Sequence, residues 1–231
     1  MGSDPYATLH DHRLQPFPFP PGSTGFDLVI LDGHPLRGDA HEDSADLQDH
    51  YANGDRIFIS QLILGLWTIG EGGTMIVKLT AAQSDKTAQL LYMFDTLAQD
   101  LQTWKPVYMH ATQSTFYAVA SGMGLGVGGA RHAVILGNLQ QLWEELRYDN
   151  NGAGRRLRDD DFEFIVPRRN LKGKGFRARR NELTEHILRV QAQSRKEWRE
   201  FEGYGRSDSG YSGMSYTHPW RCATTNTVMS E

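Results

Sequence analysis

The sequence predicts an α/β fold, a partial Rossmann-like sheet with flanking helices, followed by a helical basic C-terminal extension. Three observations carry this reading. The runs Phe26-Asp-Leu-Val-Ile-Leu31 and Thr74-Met-Ile-Val-Lys-Leu79 are nearly all apolar and rich in branched residues. Strands buried on both faces of a parallel sheet read this way. Stretches with helical patterning alternate with these runs, the order of a doubly wound sheet. Charge is also divided unevenly: residues 1–55 hold 2 basic and 10 acidic residues, whereas residues 151–200 hold 14 and 8. A basic block in a chain of net charge −4 points to a localised polyanion contact.

Residues 1–25, with Pro-Phe-Pro-Phe-Pro-Pro-Gly, read as an extended leader. Phe26–Leu31 is the first strand, closed by Asp32-Gly33-His34-Pro35. Residues 36–53 are acidic and read as a loop. A buried helix is expected from Arg56 to Ile69, stopped by Gly70-Glu71-Gly72-Gly73. Thr74–Leu79 is the second strand. Lys86 to Leu101 carries Leu90, Leu91, Phe94, Leu97 and Leu101 on one helical stripe. Strands are expected at Trp104–His110 and Thr115–Ser121, and their short link predicts an antiparallel hairpin. After the glycine-rich residues 122–129, a helix is expected over 131–148, a short strand over 162–166 and an amphipathic helix over 181–201. From Gly203 the composition is that of a disordered tail.

Several classes are excluded or disfavoured. One cysteine, Cys222, allows neither an intrachain disulfide nor a cysteine-based zinc site. The longest apolar run, residues 62–70, is too short to span a bilayer, so no membrane role is expected. The N-terminus has no secretory pattern, which predicts an intracellular protein, nuclear or cytoplasmic. His10, His12, His34, His41 and His50 surround acidic residues, but their spacing matches no metal-ligand pattern, and no metal is expected.

Ligands of open α/β sheets bind at the carboxyl ends of the strands. Asp32 closes the first strand and Lys78 nearly closes the second. A lysine inside Met-Ile-Val-Lys-Leu is costly unless its ammonium reaches a pocket or a carboxylate. Taken alone, the pair also fits a snorkelling lysine and a loop-capping aspartate. Gly124-Leu-Gly126-Val-Gly128-Gly129 follows a strand and precedes a helix, the context of a dinucleotide loop. A flexible linker is the favoured reading, because no strand follows to complete the unit. Residues 168–180 hold Arg168, Arg169, Lys172, Lys174, Arg177, Arg179 and Arg180 and no acid. Phosphate binding, with Phe176 as a stacking side chain, is one reading. A nuclear-localisation address and a solvated loop paired with the acidic N-terminal third are the others.

Taken together, Phe-Asp-Leu-Val-Ile-Leu-Asp-Gly-His-Pro, a helix, Gly-Gly-Thr-Met-Ile-Val-Lys-Leu, then Trp104-Lys105-Pro106 and Gln-Ser-Thr-Phe-Tyr-Ala-Val-Ala-Ser-Gly form a recognisable series. It resembles the second half of an FtsJ-like (RrmJ-type) ribose 2′-O-methyltransferase over residues 26–122. The resemblance implies S-adenosylmethionine as cofactor, RNA as partner, and a Lys-Asp-Lys-Glu set around the target ribose. Asp32 matches the family aspartate, with a cofactor contact. Lys78 matches the second lysine, which activates the 2′-hydroxyl. The family glutamate falls on Thr115, which can hydrogen-bond but carries no charge. The resemblance also implies a first half with a glycine-rich cofactor loop and another lysine, which residues 1–25 do not contain. A partner chain or an N-terminal segment would complete the fold, and the chain as written is expected to bind cofactor weakly. The alternative is a non-catalytic RNA-binding or scaffold remnant using residues 123–202. A dinucleotide enzyme built on 124–129 comes third.

Overall fold

The computed structural model of the protein describes residues 24–34, 44–108, 110–149 and 154–206. In chain order they form β1 (Phe26–Leu31), α1 (Ser44–Thr68), β2 (Ile69–Leu79), α2 (Asp85–Leu97), β3 (Asp100–Trp104), β4 (Phe116–Ser121), α3 (His132–Tyr148) and α4 (Lys174–Arg206). Short 3-10 turns precede α3 and α4, at Gly129–Arg131 and Arg168–Lys172. The strands make one mixed sheet in the order β1-β2-β4-β3. β1 and β2 run parallel, joined by α1; β4 is antiparallel to both β2 and β3. The expected late hairpin is therefore present, with β4 inserted beside β2.

Register decides which side chains share a face. Leu31 pairs with Val77, which pairs with Ala118, and Met75 pairs with Ala120, which pairs with Leu101. These residues are buried in a single hydrophobic core. Ile59, Leu62 and Leu66 of α1, Leu91, Phe94 and Leu97 of α2, and Leu139 and Leu146 of α3 enter that core from the same side. So do Phe162, Ile165 and, from α4, Leu183 and Ile187. Each such large apolar side chain contributes about 1.5–3 kcal/mol by leaving water. α2 is well started: Ser84 caps it by accepting the Thr87 N–H at 3.1 Å, and Asp85 lies in its first turn.

The opposite face departs from the doubly wound expectation. It carries Leu28 and Ile30 on β1, Ile76 on β2, Tyr117 and Val119 on β4, and Trp104 on β3. Leu28, Ile30 and Trp104 are 53%, 60% and 58% exposed. None of this face joins the core, so among the described residues the helices cover one face of the sheet. The nearly all-apolar β1 is thus buried on one side, not two.

Other boundaries also moved. The helix expected at 56–69 begins at Ser44, inside the segment read as a loop, and Gly70 to Gly73 belong to β2. The glycines are accommodated because Gly73 lies against the Phe26 carbonyl, where a Cβ would not fit, and the β1–β2 register shifts at Phe26/Leu28. α2 stops at Leu97 because the Gln99 N–H turns to the Ser121 and Gly122 carbonyls. Leu101, read as the end of the helical stripe, is a buried residue of β3, and the strand expected at 104–110 is displaced to Asp100–Trp104. Phe162 to Val166 is a series of turns and not a strand; its apolar side chains fill the core beneath α2 without a pairing partner. α4 begins at Lys174, seven residues earlier than expected, and extends to Arg206, into the segment read as a disordered tail. Among the described residues no helix is long and apolar enough to cross a membrane.

Candidate functional site

β1 ends at Leu31, in parallel register with Val77. The next residue on each strand is therefore Asp32 beside Lys78, at the carboxyl ends of two adjacent parallel strands. Lys78 is also directly opposite Tyr117 across the antiparallel β2–β4 pair. The three side chains share the open face and converge. Lys78 Nζ lies 2.7 Å from Asp32 Oδ1, and the Tyr117 hydroxyl donates to Asp32 Oδ2 at 3.1 Å. The turn after Asp32 is fixed by α1: the Gly33 N–H donates to Gln61 Oε1 at 2.7 Å, and Gln61 Nε2 donates to the Gly33 carbonyl at 3.0 Å.

These contacts set the charge state of the carboxylate. Burial disfavours its ionised form, but the hydrogen bonds from Lys78 and Tyr117 and the charge of Lys78 outweigh that effect and hold Asp32 below the usual carboxylate range. The Tyr117 phenol moves the other way, raised by burial and by its bond to the Asp32 anion. Asp32 is thus an anion with both oxygens engaged, and its role toward Lys78 is orientation.

Lys78 and Thr115 line one cleft of about 980 Å3 between the carboxyl ends of the strands, α1, α2 and the loops at 110–115 and 157–162. Its apolar wall includes Phe58, Leu90, Leu157 and Phe162. Its polar rim includes His34, Gln61, Lys86 and His110. The 110–115 loop is held from below by Lys105, which is 3% exposed. Its Nζ donates to the carbonyls of His110, Gln113 and Thr115 at 2.8, 2.7 and 2.6 Å. Burial, with the nearby charge of Arg195, lowers the pKa of this lysine. Arg195 of α4 donates to the Thr112 carbonyl, so two cations brace the loop that presents Thr115.

The glycine-rich loop has a different job from either expected one. The amides of Gly124 and Gly126 donate to the Leu97 carbonyl, and that of Gly128 donates to Thr96. The loop is therefore packed on the last turn of α2, satisfying carbonyls that a helix end leaves open. It is neither a flexible linker nor a phosphate cradle, since the donors a phosphate needs are already in use.

The seven cations of 168–180 divide into two groups. Arg168 pairs with Asp85, Arg179 with Asp95 and Glu182, and Arg180 donates to the Gln83 carbonyl. These three fasten the start of α4 to α2, and their acidic partners lie on α2 and α4 and not in residues 1–55. Arg169, Lys172, Lys174 and Arg177 are exposed and make no ion pair among the described residues. Phe176 packs edge-on against Tyr92, with ring centroids 5.1 Å apart, and is half-buried. It is therefore a packing residue here and not a free stacking platform. Of the histidines, His34 lines the cleft; His10, His12 and His41 lie outside the described residues, as does the side chain of His50. Among the described residues no group of three or more His, Cys, Asp or Glu is placed to hold a metal ion.

Tyr117, Gln61 and Lys105 are site-shaping residues that the sequence did not reveal. Tyr117 required the β2–β4 register, and Gln61 required the packing of α1 on the turn. Lys105, in Trp-Lys-Pro, falls in the strand expected at 104–110, whereas it follows the end of β3 at Trp104. Compared with known proteins, the chain matches no protein-family model and no curated protein.

Proposed function

We propose that this chain carries the ribose-binding half of an S-adenosylmethionine-dependent RNA ribose 2′-O-methyltransferase. The observation behind this reading is the Lys78 ammonium held 2.7 Å from Asp32 at the carboxyl ends of two parallel strands; Lys78 also lines the neighbouring cleft, whereas Asp32 and Tyr117 are not among its lining residues. In this reading Lys78 contacts the 2′-hydroxyl of the target ribose. Asp32 fixes the direction of the ammonium, and Tyr117 holds the second carboxylate oxygen so that Asp32 does not rotate away. Thr115, presented by the loop that Lys105 braces, offers a hydroxyl to the same cleft. Such positioning supplies much of catalysis when the reaction partner is intrinsically reactive.

The described residues do not fit S-adenosylmethionine. Both oxygens of Asp32 are engaged, and the amides of the glycine loop are spent on α2. The purified 231-residue chain is therefore expected to bind S-adenosylmethionine weakly or undetectably by calorimetry. Micromolar affinity would contradict this. The second reading, a non-catalytic RNA-binding remnant, draws on the exposed Arg169, Lys172, Lys174 and Arg177. The two readings differ in one property. A ribose site distinguishes RNA from DNA through the 2′-hydroxyl, whereas a phosphate-binding surface does not. Comparing RNA and DNA of one sequence, with and without Lys78, tests the proposal.

A further inference from the structure

One wall of the cleft is tied down differently from the rest. After α3 the chain enters residues 155–161, and the two ends of this segment are stapled together. Arg155 donates to both oxygens of Asp161 at 2.7 and 2.8 Å and to Glu145 at 2.7 Å. Between these two ends, residues 156–160 form a strap that meets the cleft at Leu157. The Leu157 N–H donates to Asp55 of α1 at 3.0 Å, and Leu157 itself lines the cleft. On the other side Lys86 of α2 reaches the Leu157 carbonyl at 3.3 Å and Asp159 at 3.4 Å.

Lys86 also lines the cleft, and its contacts are loose beside the 2.7 Å Lys78–Asp32 pair. Asp159 is mostly exposed, so its pairing is of the weak, salt-sensitive kind. A phosphate is a stronger partner for an ammonium than such a carboxylate, because it offers more charge and more acceptor oxygens. Asp161 also accepts the Arg158 N–H at 2.6 Å, and Asp55 holds Arg156 at 3.4 Å as well as the Leu157 N–H, so lifting the strap opens the Asp55 contacts together with those of Lys86.

We propose that Lys86 is a phosphate anchor of the cleft, and that Asp159 and the strap hold its place until a phosphate-bearing ligand arrives. The ligand class, a single-stranded polynucleotide, rests on the reading above; the latch itself does not. Binding breaks the Lys86–Asp159 and Lys86–Leu157 contacts and frees the strap.

The test uses the full chain, with a 5′-phosphorylated single-stranded RNA hexamer and inorganic tripolyphosphate as separate probes. Either probe is expected to accelerate hydrogen exchange at the Leu157 amide. Asp159→Asn should tighten hexamer binding about two- to fivefold, the range of a weak surface pair. Asp160→Asn, which removes a neighbouring charge without touching Lys86, sets the baseline for general electrostatics. Lys86→Met should abolish the exchange response to both probes. If the hexamer binds but Leu157 exchange is unchanged and Asp159→Asn matches Asp160→Asn, the latch is wrong and the ribose reading stands. If the hexamer does not bind yet tripolyphosphate still frees Leu157, the latch holds and the polynucleotide reading fails. No response to either probe overturns the proposal.

Discussion

Arg155→Ala is expected to destabilise the protein by about 3–5 kcal/mol, the usual cost of removing one partner from a buried ion pair. Arg155 and Asp161 are each only 8% exposed at the side chain, and the guanidinium grips both carboxylate oxygens. The hydrogen bonds from Arg155 to Asp161, set against its burial, push its pKa up still further, so it is a cation at every pH the fold survives. Alanine leaves the Asp161 carboxylate buried, with the Arg158 N–H, 2.6 Å from Oδ2, still donating to it. Glu145 and Asp149 are about half exposed, and water replaces most of what they lose. Urea unfolding should show a midpoint lower by at least about 1 M with an unchanged slope, taking a slope near 3 kcal/mol/M. Arg155→Lys keeps the charge but not the two-pronged grip, and should fall between. A loss below about 1 kcal/mol for alanine would mean that the network is solvated and that residues 154–162 are not stapled.

Gly126→Ala should cost about 1–3 kcal/mol or more, because overpacking forces backbone to move. A Cβ at this position would collide with the carbonyl oxygens of Thr96 and Ala98. Those carbonyls belong to the end of α2, so the new methyl group would break the contact by which the Gly126 N–H reaches Leu97. Gly137 is the contrasting position. It lies inside α3 with nothing within 4 Å of an added Cβ, and Gly137→Ala should stabilise by about 0.5–1 kcal/mol. Thermal unfolding of the two variants checks both signs. Equal, small effects would mean that the 124–129 loop is not packed on α2 as described.

The sequence carried the α/β class, the order of its main elements and the Asp32–Lys78 pair, each for a local reason. Apolar runs ending in Asp-Gly or interrupted by a lysine are visible in one dimension. What was not legible depended on register or on covering layers. β1 has the composition of a strand buried twice, yet composition does not say which face is covered; Leu28 and Ile30 are exposed because the helices gather on one side. Leu101 continues the 3.6-residue stripe of α2, but the pull of Ser121 and Gly122 on Gln99 ends the helix first. Phe162 to Val166 alternates like a strand, yet it packs into the core as turns. The basic run 168–180 looked uniform, whereas Arg168, Arg179 and Arg180 are structural cations and the other four face solvent. The glycine loop matches a phosphate motif in spacing, yet its amides point at the last carbonyls of α2, a long-range contact that spacing does not encode.

The most direct measurement is the affinity of the full chain for a short single-stranded RNA and for DNA of the same sequence, across a salt series. If Lys78 meets a ribose hydroxyl, RNA should bind at least about tenfold tighter than DNA, the worth of roughly one hydrogen bond to a charged group. That preference should vanish in Lys78→Ala. Replacing Arg169, Lys172, Lys174 and Arg177 with alanine should weaken RNA and DNA alike and flatten the salt slope, because it removes phosphate contacts only. The three cations that hold α4 to α2 are left intact so that the fold is unchanged. RNA preference that is present in the wild type, lost with Lys78 and kept in the four-site variant is the predicted result. Equal affinity for RNA and DNA, or a preference that survives Lys78→Ala, would contradict a ribose site at the Asp32–Lys78 pair.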